Sequence, residues 1–329
     1  MISIKNIKAS YFSRRGEVQA VDGVDLEILD NEILGIAGES GCGKSTLLKV
    51  VYGYLAPPLR VVAGTVDYHY TDRDGHEVAL GMEDIRQAWW KFISYIPQGS
   101  MNVLNPVTRI ESQFMDTITR INIKKSKSDI HQFIVNCLND LDLPPDILKS
   151  YPHQLSGGMR QRVVVALATF LKPGVILADE PTTAVDVVVQ RGILTLLTSM
   201  QKDQKNTLVF VSHDMGVHYQ TTDRLAIMYA GKIVELGPTD VVVEHPLHPY
   251  PEMLIRSLPR IGDRQERDGI SGSPPSLIDP PVGCRFAPRC PSVMDICRVE
   301  EPQLVKIESN HFAACHLLEI AEDTQGITS

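Results

Sequence analysis

The stretch that most constrains this chain is GESGCGKST at residues 38–46. Apolar runs at 33–37 and 47–51 flank it, so the pattern predicts a strand, a glycine loop and a helix. In such a loop successive backbone N–H groups turn towards a polyphosphate, and the helix presents its positive N-terminal end. Lys44 is expected to reach the β- and γ-phosphates, and the Ser45 hydroxyl to bind Mg²⁺. The candidate nucleotide ligands here are Gly38, Ser40, Gly41, Cys42, Gly43, Lys44, Ser45 and Thr46.

Composition and charge exclude several classes of protein. The net charge of −8 disfavours a mainly electrostatic hold on nucleic acid. The longest apolar runs, such as residues 163–171, are too short to span a bilayer, and the first residues lack the pattern of a secretory signal. We therefore expect a cytosolic protein without a disulfide framework, although it has six cysteines.

The order of strand-like and helix-like segments predicts an α/β fold. Residues 1–36 alternate as strands do, and residues 110–149 have a helical pattern. We predict a P-loop NTPase (RecA-like) core with an antiparallel β subdomain, an inserted helical subdomain at about 100–172, and a small irregular Cys-rich C-terminal extension. The predicted domains are 1–245 and 246–329, because prolines become frequent after residue 245.

Carboxylates follow the apolar run 175–178, which is typical of a buried parallel strand. Ligands bind beyond the carboxyl ends of parallel strands, so we expect Asp179 and Glu180 beside the glycine loop. Asp179 would hold Mg²⁺ and Glu180 would orient the attacking water, unless both are solvated carboxylates at a strand end. Gln98 can offer its amide oxygen to the metal. His213 either donates to the γ-phosphate or is a structural histidine.

A second glycine element, LSGGMRQ at residues 155–161, directly precedes a helical run. The backbone N–H groups of Gly157 and Gly158 and the hydroxyl of Ser156 can face an anion there. Since the chain already has one phosphate site, two separate half-sites indicate that ATP is shared between two subunits.

These motifs, in this order over residues 1–245, resemble the ATP-binding subunits of ABC transporters. Tyr11, by itself either a base-stacking aromatic or an ordinary exposed tyrosine, falls where the family's A-loop aromatic stacks on adenine. The resemblance implies catalytic roles for Glu180, His213 and Gln98, and Mg²⁺ ligation by Ser45, Gln98 and Asp179. It also implies contacts to the partner subunit's ATP from Ser156, Gly157, Gly158 and Asp186. Matching motifs are Walker A (38–45), the Q-loop (Gln98), the signature (155–161), Walker B (175–180), the D-loop (184–186) and the switch histidine (His213).

The resemblance narrows to the ATPases of dipeptide/oligopeptide importers, within them the dipeptide-type D subunit. It is carried by LNP at 104–106, AGKIVELG at 230–237, HPY at 248–250 and the tail at 283–316. It implies an ATPase at the cytoplasmic face of the membrane that energises import of di- or oligopeptides. The implied partners are a homologous second ATPase (or a second copy in isolation), two permeases and, indirectly, an extracytoplasmic binding protein.

Other functions are possible for such a chain. The cargo of the same motor can be a nickel chelate or an oligosaccharide. A non-transport ABC ATPase acting on DNA or ribosomes is disfavoured, because repair members carry long coiled coils between the Q-loop and the signature. Here only about sixty residues lie between them. An iron–sulfur regulator with a vestigial ATPase is disfavoured by the intact Glu180 and His213.

Four of the six cysteines lie near the C-terminal end: Cys284, Cys290, Cys297 and Cys315. Four thiolates can hold tetrahedral zinc or a [4Fe–4S] cluster. Zinc modules usually have closer cysteine pairs than these, and a larger cluster tolerates the looser spacing. Relatives that keep these cysteines are associated with an iron–sulfur cluster, so the resemblance favours [4Fe–4S], with zinc and free thiols as alternatives. A metal centre would help to stabilise a tail with few apolar residues.

Overall fold

In the computed structural model the chain divides into two compact units. The first consists of Met1–His69, Ala79–Glu83 and Val211–Ser329, and the second of Tyr70–Val78 and Asp84–Phe210. Asp186, predicted to contact ATP in the partner subunit, lies outside the described residues. The structure describes residues 1–72, 74–99, 103–121, 126–181, 187–257, 269–308 and 310–318.

An antiparallel sheet, mostly in the first unit, is built from long strands near the start of the chain. Its strand order is β2-β1-β4-β5, and the first two strands pair from Ile2 with Ile28 to Ser13 with Gly16. Ile2, Ile4 and Ile7 of β1 are buried, as their apolar pattern predicts. The strands are β1 (Ile2–Ser13), β2 (Gly16–Ile28), β4 (Leu59–Thr71) and β5 (Glu77–Gly81); β3 (Ile33–Ala37) belongs to the other sheet.

The first unit also contains strands in the order β11-β12-β10-β9-β3. All five residues of β3 are buried, and β3 runs parallel to β9, with Ala37 opposite Ile227. β9 and β10 follow one another in the chain and pair antiparallel as a hairpin. These elements are β9 (Arg224–Tyr229), β10 (Lys232–Pro238), β11 (Val305–Glu308), β12 (His311–Ala313), α1 (Lys44–Val51), α6 (Met215–Thr221), α7 (Thr239–Glu244) and α8 (Pro249–Arg256).

The tail is not wholly irregular, which corrects the prediction for it. β12 pairs antiparallel with β10, placing Phe312 opposite Leu236, and α9 (Ile296–Val299) forms one short helix. Phe286 is buried and contacts the rings of Tyr229 and Tyr250 at centroid distances of 5.2 and 5.3 Å. The tail is therefore anchored on the core of the first unit by strand pairing and aromatic packing.

The second unit contains neighbouring strands in the order β8-β7-β6, of which β6 and β7 are parallel. Its helices include the predicted helical segment, where Phe114 and Phe170 pack edge to face in the core. Ser126 caps α3 by accepting from the Asp129 N–H at 3.2 Å. The elements are β6 (Ile93–Ile96), β7 (Val175–Asp179), β8 (Thr207–Val211), α2 (Ile110–Arg120), α3 (Lys127–Asp140), α4 (Gly157–Thr169) and α5 (Val187–Gln204).

Candidate functional site

The glycine loop between β3 and α1 follows a path that only glycine tolerates at two positions. Gly38 has a φ of 148° and Gly43 a φ of 108°. A Cβ on Gly38 would lie 2.1 Å from the carbonyl oxygen of Met228, and a Cβ on Gly43 would lie 2.1 Å from that of Ala20. These two glycines therefore fix the shape of the loop.

Lys44 begins α1, and its side chain folds back over the loop. Its Nζ donates hydrogen bonds to the carbonyl oxygens of Gly38 at 2.7 Å and of Glu39 at 2.9 Å. A positive charge is thereby held at the N-terminal end of a helix, as polyphosphate binding requires. Cys42 is buried, and burial raises the pKa of its thiol, so it adds no negative charge to the loop.

Tyr11 in β1 lies against the first turn of α1. Its hydroxyl is 3.1 Å from the Thr46 hydroxyl, and its side chain is half-buried. Ser40 and Gly41 are exposed in the loop, and Ser45 is half-buried in the helix. The structure thus brings Tyr11 together with the loop, where an aromatic ring can meet a base.

Two carboxylates at the end of β7 have defined partners in the second unit. Asp179 is 1% exposed and accepts a hydrogen bond from the Tyr95 hydroxyl at 2.7 Å. Glu180 accepts from the Gln98 amide at 3.0 Å, and its φ of 44° lies in the left-handed region. Such backbone strain is typical of functional positions. The structure therefore brings Gln98 and Glu180 together, and it adds Tyr95, which sequence reasoning missed.

The second glycine element begins α4. Ser156 is its N-cap, and the Ser156 hydroxyl accepts from the Met159 N–H at 3.3 Å. Gly157 and Gly158 form the first turn, and Ser156 is exposed. A helix N-terminus that starts with glycines at the surface can receive an anion from another molecule.

His213 is exposed just after β8, and a buried histidine that the sequence did not single out lies near it. His218 in α6 is fully buried with Nε2 3.1 Å from the carbonyl oxygen of Ser212. The pKa of His218 is lowered to about 4, mainly by burial and to a smaller extent by the charges of Lys44 and His213. His218 is therefore neutral near pH 7.

The four C-terminal cysteines line one small cavity, together with His248, Phe286 and His316. The Cys284 N–H donates to the Cys297 carbonyl oxygen at 2.8 Å. Burial raises the pKa of Cys284, Cys290 and Cys315, the last to about 11, and neighbouring thiolates add to this effect. These three are neutral thiols near pH 7 unless a cation binds them.

The spacing of these cysteines bears on the kind of metal they fit. Tetrahedral zinc with Zn–S bonds near 2.3 Å brings its sulfurs to within about 4 Å of one another. In the described part of the chain no three of the four sulfurs lie mutually within 4.8 Å. His311 and His316 have other partners, since their Nε2 atoms lie 2.9 Å from Glu235 Oε1 and 3.1 Å from the Glu300 carbonyl oxygen. The four cysteines are thus the candidate ligands, and their sulfurs are not drawn together as a bound zinc ion would hold them.

Two family models match the chain in succession. Residues 21–183 match the ABC transporter family, and residues 234–297 match the C-terminal region of oligopeptide/dipeptide transporters. The dipeptide transport ATP-binding protein DppD of Caldanaerobacter subterraneus subsp. tengcongensis is 39% identical over 97% of each chain. This chain belongs to the dipeptide/oligopeptide branch of the ABC ATPases.

Other relatives of this ABC ATPase agree over nearly the whole length. DppD of Bacillus subtilis is 38% identical over 96% of this chain and 94% of the relative. DppD of Escherichia coli is 33% identical over 96% of each. The predicted family is confirmed.

Solved structures of ABC cassettes share the fold. The bacterial ABC transporter cassette MJ0796, described as a dimer, is 27% identical with a TM-score of 0.61, over 73% of this chain and 99% of that one. The same values hold for MJ0796 in a post-hydrolysis state bound to ADP and Pi. The predicted fold class of this ABC ATPase is confirmed. Among the described residues no helix is both long and apolar enough to cross a membrane.

Proposed function

We propose that this ABC ATPase hydrolyses ATP to energise the import of di- or oligopeptides across the cytoplasmic membrane. The observation that carries the proposal is one chain with a P-loop closed around Lys44, a Gln98–Glu180 pair and a separate helix that Ser156 caps and two glycines begin. The relatives named as dipeptide transport ATP-binding proteins support the peptide cargo. Nickel chelates and oligosaccharides are the alternative cargoes.

Within one subunit the proposed ATP ligands are the glycine loop and Tyr11. Lys44 binds the β- and γ-phosphates, and Ser45, Gln98 and Asp179 bind Mg²⁺. The hydrogen bond that the Tyr95 hydroxyl donates to Asp179 orients this carboxylate. These roles follow from residue chemistry, since Mg²⁺ prefers oxygen ligands and phosphate prefers lysine and backbone N–H groups.

Glu180 is the proposed general base that orients the attacking water. His213 is proposed to donate a hydrogen bond to the γ-phosphate. The hydrogen bond from Gln98 supports this role for Glu180, because it fixes the carboxylate in a strained backbone position. Hydrolysis removes the γ-phosphate and so weakens the hold of the site on its nucleotide.

The proposed functional unit is a head-to-tail pair of ATPase subunits. Ser156, Gly157, Gly158 and Asp186 contact the ATP held by the partner's glycine loop. The exposed start of α4 supports this arrangement, as does the dimer described for MJ0796. The proposed partner is a homologous second ATPase, or a second copy when the chain is isolated.

The pair is proposed to act on two permeases from the cytoplasmic face of the membrane, with a binding protein delivering the cargo outside. The segment after Gln98 supports a permease contact, because Val103 and Val107 are 49% and 79% exposed. Apolar side chains as exposed as these are available for burial against a partner.

The extension 246–329, which belongs to the first compact unit, is proposed to bind a [4Fe–4S] cluster through Cys284, Cys290, Cys297 and Cys315. The cluster would serve to hold the tail together. The single cavity that all four cysteines line supports a shared metal site. Protein purified without oxygen should be brown and contain about four irons per chain. Colourless protein with one zinc per chain would rule out the cluster.

The motor role is tested by Glu180→Gln in the assembled transporter, with Glu77→Gln as control. Glu77 is exposed in the same unit. Glu180→Gln should bind ATP normally but lower turnover about a hundredfold or more, with closed dimers accumulating on ATP. It should also abolish uptake of a radiolabelled dipeptide. Near-normal turnover in Glu180→Gln would contradict the role of Glu180. Normal ATPase activity without dipeptide uptake in the unaltered protein would contradict the cargo.

A further inference from the structure

Arg289 in the Cys-rich tail forms a two-pronged ion pair with Glu39 in the glycine loop. Its Nη1 lies 2.7 Å from Glu39 Oε2, and its Nη2 lies 2.9 Å from Oε1. The Arg289 side chain is 4% exposed and that of Glu39 is 24% exposed. A bidentate arginine–carboxylate pair that is mostly buried is stronger than an ordinary hydrogen bond between neutral groups.

The surroundings of Arg289 use all five of its N–H donors. Besides Glu39, its guanidinium donates to the carbonyl oxygens of Ser271 at 3.0 Å and Ile270 at 3.1 Å, and to the Tyr229 hydroxyl at 3.1 Å. Its carbon Cζ lies 5.8 Å from the centroid of the Tyr229 ring. A lysine cannot satisfy these acceptors, because it lacks the planar fork of donors.

Glu39 is joined to the rest of the site by its backbone. Its carbonyl oxygen accepts from Lys44 Nζ at 2.9 Å, and its N–H donates to the Tyr250 hydroxyl at 2.9 Å. Tyr250 is fully buried against Phe286, three residues before Arg289. The tail therefore holds the side chain of Glu39 directly through Arg289, and it supports the backbone of Glu39 through Tyr250, on which Phe286 packs.

The charge of Glu39 explains why such a contact matters. A carboxylate in a loop that binds a polyphosphate repels the ligand, and partial burial strengthens the repulsion. The Arg289 guanidinium neutralises this charge, so the ammonium group of Lys44 is not needed to pair with the Glu39 carboxylate.

We propose that Arg289 is a positioning residue for nucleotide binding, which neutralises Glu39 and fixes the glycine loop, so that the Cys-rich tail supports the ATP site. The inference rests on the proposed ATP site. It gives the tail a function in nucleotide affinity beyond its own folding. Cys290 directly follows Arg289, so a ligand that fixes the cysteine also fixes the backbone from which the guanidinium extends.

The test measures the Kd for Mg·ATP by calorimetry on the full chain carrying Glu180→Gln, which prevents turnover. Arg289→Ala should raise the Kd about tenfold or more. Arg289→Lys should restore little of it. The control is Arg298→Ala, an exposed arginine of the same segment, whose Kd should match that of the parent.

The decisive variant is the double change Glu39→Gln with Arg289→Ala. If Arg289 acts by cancelling the charge of Glu39, removing that charge should return the Kd to within about threefold of Glu39→Gln alone. A merely structural role of Arg289 predicts no rescue. An unchanged Kd in Arg289→Ala, or no rescue in the double variant, would overturn the inference. Should Arg289→Ala fail to fold by circular dichroism, Arg289→Gln carries the same test.

A second measurement tests whether Cys290 affects Mg·ATP binding through Arg289. Cys290→Ser should also weaken Mg·ATP binding, and adding Arg289→Ala to it should weaken binding little further. If the losses of binding free energy from Cys290→Ser and Arg289→Ala were fully additive, Cys290 would not act through Arg289. If the parent protein itself binds no Mg·ATP, the proposed function fails instead, so the two failures are distinguishable.

Discussion

Acidification should destabilise this protein through His218, which is completely buried in α6. Its Nδ1 packs so closely on β3 that a Cβ on Gly35 would lie 2.5 Å away. Burial is the main cause that lowers its pKa from 6.5 to about 4; Lys44 and His213 lower it too, while Asp214 opposes them. The imidazole therefore stays neutral in the folded protein.

The direction in which stability changes with pH follows from which state of the chain binds the proton. Between pH 6.5 and 4 the unfolded chain binds a proton at this histidine and the folded chain does not, so stability falls as the pH falls. The stabilisation is fully present above the unfolded pKa. A pKa difference of this size corresponds to roughly 3 kcal/mol, lost at about 1.4 kcal/mol per pH unit. Burial also lowers the pKa of His248, to about 3, and adds a loss of the same sign.

The assay is urea unfolding at several pH values between 7.5 and 4.5, followed by circular dichroism. The unaltered protein should lose stability more steeply below pH 6.5 than His218→Gln, by up to about 1.4 kcal/mol per pH unit. The exposed His245 supplies the control His245→Gln, which should keep the steep slope. Equal slopes for the unaltered protein and His218→Gln would refute the reasoning, whatever their absolute stabilities.

Three further predictions concern the nucleotide site. Gly43→Ala should raise the Kd for Mg·ATP more than about tenfold, because its Cβ would meet a carbonyl oxygen at 2.1 Å. Gly41→Ala should have a smaller effect in the same calorimetry, since its Cβ meets no atom within 4 Å. Tyr11→Ala should weaken ATP binding by about 5- to 150-fold while Tyr11→Phe leaves it near normal, and equal effects would argue against stacking. Tyr95→Phe should raise the Mg²⁺ concentration for half-maximal ATPase activity, because Asp179 loses a donor; an unchanged value would exclude this role.

Several features of the site could be predicted because their signal is local. The spacing of the glycines in residues 38–46 predicts a glycine loop. The observed positive φ of Gly43 is the backbone conformation that such a loop requires. Gln98 and Glu180 each follow an apolar strand, and parallel strands end at one edge of a sheet. Their observed contact at 3.0 Å follows from that rule.

The tail shows where local patterns fail. Its sequence has few apolar residues and many prolines, which predicts an irregular segment. Yet His311–Ala313 forms a strand, because β10 offers an edge for it to pair with. Nothing in a three-residue stretch indicates that a distant strand edge is available.

The sequence by itself determined the family, the glycine loop, the paired carboxylates and the strands and helices that carry them, since these depend on residue type at short spacing. Only the tertiary structure decided which distant groups support them. Arg289 reaches Glu39 across 250 residues, and Tyr95 reaches Asp179 across 84. Such pairs leave no periodic pattern along the chain, because packing in three dimensions brings them together. The glycine loop is thus encoded locally, while its charge balance and its support come from the other end of the chain.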